Sequence, residues 1–195
     1  MFFGRPVSPS LFFHSNGLAQ FYLSHAKVGL GSANEQDMPV MSAAKNNRDL
    51  MAKMFDRTIS NKFKHVPHAL RKSVMRDMEQ DFTADFQHTA ASQFRSHEDI
   101  SVSASLGHYY AYATGRAVPG RLKYLYADIA RDDTAHRLTS LLRQRDCDVF
   151  CLNDHDSGKI DPLVQGTLIR EFLEAYFPIP SQFERRVSER DVPTG

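Results

Sequence analysis

The chain has 195 residues, 42% of them hydrophobic and 24% charged, with a formal net charge of +1. That is enough length and apolar content for one ordinary globular domain with a core, and too even a charge for a nucleic-acid surface or an acidic solvated chain. No apolar run approaches the ~20 residues that span a bilayer, and no basic segment followed by an apolar run opens the chain as a signal peptide would. Cys147 and Cys151 make neither a disulfide framework nor, by themselves, a zinc motif, so a reducing, cytoplasmic setting is the expectation.

Residues 1 to 31 interleave Phe2, Phe3, Phe12, Phe13, Phe21 and Tyr22 with Gly and Pro, which predicts short strands and turns. An aromatic opening at Met1-Phe2-Phe3-Gly4-Arg5-Pro6 reads as the middle of a domain rather than its start, because free termini are usually polar. A Gly, Ser, Asn and Asp cluster predicts a loop over 29 to 39. Ser42 then caps a helix through Phe55, with Ala43, Leu50, Met51 and Met54 at helical spacing. Asn46 and Asn47 lie on it; helix interiors disfavour Asn, which is most often exposed there but can also hold a ligand or a loop.

Pro67 is placed to begin the next helix, whose apolar stripe is Leu70, Val74, Met78 and Phe82 with Met75 beside it. His65 and His68 would then stand at its N-terminal mouth, where free backbone N–H groups and the helix dipole favour a phosphate. After a break near Thr83, Phe94-Arg95-Ser96-His97-Glu98-Asp99 leads into a helix burying Val102, Leu106, Tyr109, Tyr110 and Ala113, ended by Gly115, Pro119 and Gly120. Lys123 to Tyr126 is a strand candidate, and Asp132 or Asp133 caps a helix with Leu138, Leu141 and Leu142. Asp148 to Leu152 is a buried strand, and Asp161-Pro162 opens a helix with Val164, Leu168, Phe172 and Tyr176 on one face. The order of strands and helices argues for an α/β fold, and the tail 185 to 195 is loose.

The densest ionisable chemistry runs from His65 to Asp99. Imidazole titrates near working pH and can handle a hydroxyl proton, whereas a histidine packed at a helix start, or a zinc ligand with His97, His155 or an aspartate, are the competing readings. Arg95 is either a surface ion-pair partner of Glu98 or Asp99, or a guanidinium that grips phosphate bidentately. Asn153-Asp154 closes the buried strand, either as an Asx turn or as a polar pair at the carboxyl end of a strand, where open α/β sheets place ligands. The Tyr109, Tyr110, Tyr112 cluster reads as core and rim.

Two long motifs carry a resemblance. His65-Val66-Pro67-His68, Met75-Arg76-Asp77-Met78, Phe94 to Asp99 and Tyr109-Tyr110, within 46 to 120, resemble the third conserved region of the Stealth family. Phe150-Cys151-Leu152-Asn153-Asp154, Phe172-Leu173-Glu174 and Phe177 to Glu184, within 148 to 184, resemble its fourth. The family includes bacterial capsular polysaccharide phosphotransferases and the animal N-acetylglucosamine-1-phosphotransferase.

The resemblance implies transfer of a sugar-1-phosphate from a nucleotide-sugar donor to a sugar hydroxyl of a glycan acceptor, in capsule or exopolysaccharide synthesis. It implies His65 and Arg95 as catalytic, with His68, Glu98, Asp99, Asn153 and Asp154 binding substrate or phosphate, and a divalent cation, Mg or Mn, as cofactor. It places the chain in the cytoplasm, with the inner face of the membrane as an alternative. Family members carry two further regions upstream, with an Asn-Asp-Asp stretch just ahead of the pattern seen here at Phe2 to Pro6. The expectation is therefore the C-terminal part, residues 1 to 184, of a nucleotide-sugar-transferase-like α/β domain, helix-rich with a small, incomplete sheet, whose partner is the missing N-terminal half. Missing strands would leave apolar surface exposed. The reading from another class is an inactive module that binds glycan or phosphate.

Overall fold

The computed structural model describes residues 1–58, 60–154 and 160–180. They form two compact units, Met1–Leu125 with Cys147–Cys151, and Tyr126–Asp146 with the described residues from Leu152 onward.

The first unit joins short strands to a group of helices, an α/β arrangement as its sequence predicts. β1 (Phe2–Phe3) runs antiparallel to the start of β7 (Val149–Asn153), setting Phe2 opposite Phe150 with their rings stacked at 5.2 Å. With β6 (Tyr124–Asp128) these strands form a sheet of order β1-β7-β6. β2 (Ala19–Phe21) pairs in parallel with β5 (Ala117–Pro119), and β3 (Leu23–Lys27) pairs antiparallel with β4 (Asn61–Phe63). Among the described residues the sheet content is thus three small pieces rather than one small sheet. Gly120 follows β5 and lies so close to β2 that a Cβ there would stand 2.5 Å from Gln20 Oε1 and 2.7 Å from the Tyr22 ring.

Helices α1 (Pro39–Phe55), α2 (Lys72–Asp81), α3 (Thr83–Ala91) and α4 (Gly107–Ala113) supply the other side of the core, where Met51, Val74, Met78, Phe82, Leu106 and Tyr110 meet Phe21. A single π-turn, Val102–Leu106, leads into α4. α1 starts earlier than its expected Ser42 cap. Pro39, whose ring presets the helical φ and lacks an N–H in any case, takes the first turn, and Ser42 lies buried inside the helix, its hydroxyl donating to the Asn34 carbonyl at 3.4 Å.

α2 differs from expectation in the opposite sense: it begins at Lys72, five residues after Pro67. The Lys64 carbonyl accepts from the Val66 N–H at 2.9 Å and from the His68 ring at 3.2 Å, which closes a tight turn that no helix can contain. Leu70, although in phase with the α2 stripe, packs on Gly107, where a Cβ would lie 3.0 Å from Leu70 Cδ2. His65 and His68 therefore sit on this turn and not at a helix N-terminus, so the expected dipole-based phosphate site is absent there.

In the second unit α5 (Thr134–Gln144) pairs with α6 (Pro162–Tyr176). Asp161 caps α6 as expected, accepting from Leu163 N–H at 2.7 Å and Val164 N–H at 3.3 Å. Asp133 precedes α5, but its carboxylate turns to Arg137 at 2.7 Å and Arg131 at 3.3 Å instead of capping. Arg145 ends α5 in the left-handed conformation (φ 46°), donates to the Ala175 and Tyr176 carbonyls and lies 4.6 Å over the Tyr176 ring. The expected α6 stripe is buried at Phe172 and Tyr176, whereas Val164 is 63% exposed.

Candidate functional site

β4 and the turn after it form one wall of a cavity of about 240 Å³. Lys62, Lys64, His65 and His68 come from this wall; Ser101, Ser103 and Ser105 come from the segment entering α4, and Val28, Val40 and Ala44 line the remainder. His65 is exposed at the cavity, and Val66 beside it is buried, which fixes the turn. Lys62 Nζ lies 2.7 Å from Met41 Sδ, and Lys64 Nζ lies 5.9 Å from the Tyr124 ring centroid.

His68 is a different kind of histidine. Its Nε2–H donates to the Lys64 carbonyl, which leaves buried Nδ1 with no partner among the described residues. Its ring sits 4.5 Å from His108, 5.6 Å from Phe63 and 6.0 Å from Tyr22. Burial pushes the His68 pKa down, against the raising effect of the Lys64 carbonyl. His108 is 1% exposed, neither ring nitrogen has a partner among the described residues, and burial followed by the neighbouring His68 lowers its pKa to about 3. Both rings are therefore neutral at pH 7, and the His68 bond to the Lys64 carbonyl closes the turn that carries His65.

Arg95 lies on the loop between α3 and the π-turn, exposed, and lines neither the His65 cavity nor the neighbouring hollow formed by Asp49, Lys53, Asp85, His97 and Glu98. Its expected ion-pair partners are engaged elsewhere. Glu98 meets His88 at 3.1 Å, and Asp99 Oδ2 accepts the Ser96 N–H at 2.8 Å. The loop is fastened to α1: the Asn46 amide donates to the His97 and Asp99 carbonyls at 2.8 and 2.9 Å. Asn47 donates to the Ser101 carbonyl and the Ser105 hydroxyl and accepts from the Ser101 N–H. Of the two uses open to a helical Asn, holding a loop is the one realised.

Asn153 and Asp154 belong to the second unit, at the end of β7. There the Gln165 amide donates to Asp154 Oδ1 at 3.4 Å and to the Ile129 carbonyl at 3.0 Å. His155 and Asp156 lie outside the described residues. Among the described residues no three His, Cys, Asp or Glu side chains converge as metal ligands. The zinc reading of His65 and His68 gains no third ligand among them. No helix among the described residues is long and apolar enough to cross a membrane.

The site residues that the sequence reading passed over are Lys62, Lys64, Ser101, Ser103 and Ser105. The available signal was alternation: basic residues flank Phe63 at a spacing of two, and serines recur at every second position from 101 to 105.

The fold and its cavity define an α/β chain with an exposed histidine set among lysines and hydroxyls. The family models for Stealth protein conserved regions 3 and 4 match residues 64–112 and 139–193, and the first span includes both the histidine turn and the Arg95 loop. The chain is 48% identical over 184 residues to an exopolysaccharide phosphotransferase of Streptomyces coelicolor, covering 93% of this chain and 31% of the relative. It is 42% identical over 190 residues to one of Nocardia farcinica (95% and 37%) and 41% identical over 195 residues to one of Mycobacterium tuberculosis (98% and 37%). The chain belongs to the Stealth family. It spans about a third of the length of the curated relatives it matches.

Proposed function

We propose that this chain carries the proton- and phosphate-handling part of an enzyme that transfers a sugar-1-phosphate from a nucleotide-sugar to a sugar hydroxyl of a growing exopolysaccharide. The observation that supports it most is the His65 cavity: an exposed imidazole beside two lysines and three serines, on a turn held by a buried neighbour. In this reading His65 takes the acceptor hydroxyl proton as that oxygen bonds to phosphorus. The phosphoanhydride P–O bond breaks, and the nucleoside monophosphate leaves with its electron pair. Lys62 and Lys64 supply positive charge where the phosphoryl oxygens gather it, and Arg95 grips phosphate from its loop. Asp99 and His68 support the two segments, and the same reading gives Glu98, Asn153 and Asp154 to substrate or phosphate binding. A divalent cation on the donor pyrophosphate belongs to the same proposal, as do the cytoplasmic location and the N-terminal half of a longer catalytic domain as partner.

The test is transfer by a chimera in which this chain replaces the corresponding third of the Streptomyces coelicolor relative. His65→Ala should lower transfer by about 10²- to 10⁴-fold. Arg95→Ala should lower it by about 10²-fold, as loss of one transition-state charge contact does elsewhere. Donor hydrolysis and thermal melting are followed in parallel. Near-normal transfer by the His65 variant would remove the proposal, and phosphate-sugar binding without turnover by the parent chimera would favour the binding-module reading.

A further inference from the structure

A second cavity in the first unit, of about 220 Å³, has no part in the chemistry above. Arg5 and Arg121 reach it from segments far apart in sequence, Ser8 and Ser10 present hydroxyls 2.9 Å apart, and Tyr22 and Leu122 close it. Its one carboxylate among the described residues, Asp148, meets Arg5 at a loose 3.6 Å, while its Oδ2 accepts the Lys123 N–H at 2.8 Å. Among the described residues two guanidiniums thus face one engaged carboxylate, and each guanidinium carries five donors. The polar positions are set by rigid surroundings: Ser8 caps the short helix Pro9–Leu11, the Gln20 amide holds the Ser10 carbonyl at 2.6 Å, and the Tyr22 hydroxyl donates to the Leu11 carbonyl at 2.5 Å. Arg121 is exposed and makes no hydrogen bond or ion pair among the described residues, so its fork is available.

This cavity adjoins the first. Tyr22 lines it while its ring lies 6.0 Å from that of His68, and the Leu122 carbonyl lies 3.5 Å from Lys64 Nζ. Met1 lines the His65 cavity and Arg5 this one, a separation of at most about 13 Å of extended chain. The two lie within the reach of a short glycan.

We propose that the Arg5–Arg121 cavity is an anion subsite that takes a phosphate group of the glycan substrate while another part of that glycan lies at His65. The inference rests on the proposed reaction in one respect: sugar-1-phosphate transfer produces phosphodiesters, so an extended product presents a phosphate near its growing end. Guanidinium forks select such a group by charge and by paired N–H donors.

Binding is measured by calorimetry on the purified chain carrying His65→Ala, which removes turnover from the readout, at low ionic strength with glucose 1-phosphate, inorganic phosphate, glucuronate and glucose as probes. Glucose 1-phosphate should bind about tenfold or more tighter than glucose, the size expected of one charge-assisted contact. Arg121→Gln should remove that difference with an unchanged melting temperature, Arg121→Lys should restore part of it, and Arg5→Gln should weaken binding in the same direction. Equal affinity for glucose and its phosphate, an unaffected Arg121→Gln variant, or glucuronate binding as tight as glucose 1-phosphate each overturns the assignment. Tight inorganic phosphate without any gain from the sugar overturns the glycan part of it. Because transfer is not measured, failure of the His65 mechanism leaves this result standing, and the reverse also holds.

Discussion

The turn that carries His65 and the loop that carries Arg95 solve one problem in two ways. Each presents an exposed, chemically able side chain from irregular backbone, and each fastens that backbone with a neighbour from the same motif. At the turn the fastening is internal, through His68 and Val66 on the Lys64 carbonyl. At the loop it comes partly from Asp99 on the Ser96 N–H and partly from outside, through the two adjacent amides of α1. Motif residues that look alike in sequence thus divide into groups that meet solvent and groups that hold them, and substitution should separate the two by what it changes.

The largest stability effect of a single substitution is expected at the loop. Asn47 is fully buried, and Asn47→Leu would strand the Ser101 backbone and the Ser105 hydroxyl, a loss of about 2–4 kcal/mol by denaturant titration. A loss under about 1 kcal/mol would mean that the loop holds itself. Next is acid. The folded pKa of His108 lies far below its unfolded value near 6.5, so the unfolded state binds the extra proton as pH falls through that window. Stability present above about pH 6.5 should then fall by about 1.4 kcal/mol per pH unit until pH nears 3. His68, also lowered, adds in the same direction. His108→Phe should flatten the slope between pH 6.5 and 5, and an unchanged slope would assign the acid sensitivity to other groups.

Smaller again is Asn46→Ala, expected to cost about 1–2 kcal/mol and to speed amide exchange at 97 to 101 without touching the His65 turn. The smallest effect belongs to Glu98→Gln. Its pair with His88 is exposed on both sides, so stability should move by less than about 1 kcal/mol, and a greater loss would make Glu98 a fastener like Asp99.

Much of this architecture is readable in the sequence where local chemistry decides it. Asp161-Pro162 opens α6, the apolar run ending at Asn153 is β7, and Gly115 takes the positive φ of 72° after α4. The start of α2 is not readable, because Leu70 is in phase with the helix yet serves a contact with Gly107, 37 positions away. Strand pairing is hidden for the same reason: β2 finds its partner in β5, across most of the unit. The site shows a similar split. His65 and Arg95 stand out by residue type, whereas the supporting use of His68, Asp99, Asn46 and Asn47 depends on contacts that sequence spacing does not reveal. Lys62 and Lys64 were legible as alternation, but Lys62 lies on a strand of only three residues and Lys64 just past its end, too short a stretch to draw notice.

The division between exposed and fastening groups is tested most directly by measuring transfer rate and melting temperature side by side for His65→Gln and His68→Gln in the chimera. The account predicts that His65→Gln loses at least about 10²-fold in rate with its melting temperature unchanged, while His68→Gln lowers the melting temperature and keeps a far larger share of the rate. Near-normal transfer by His65→Gln, or equal losses of stability in both variants, would contradict it.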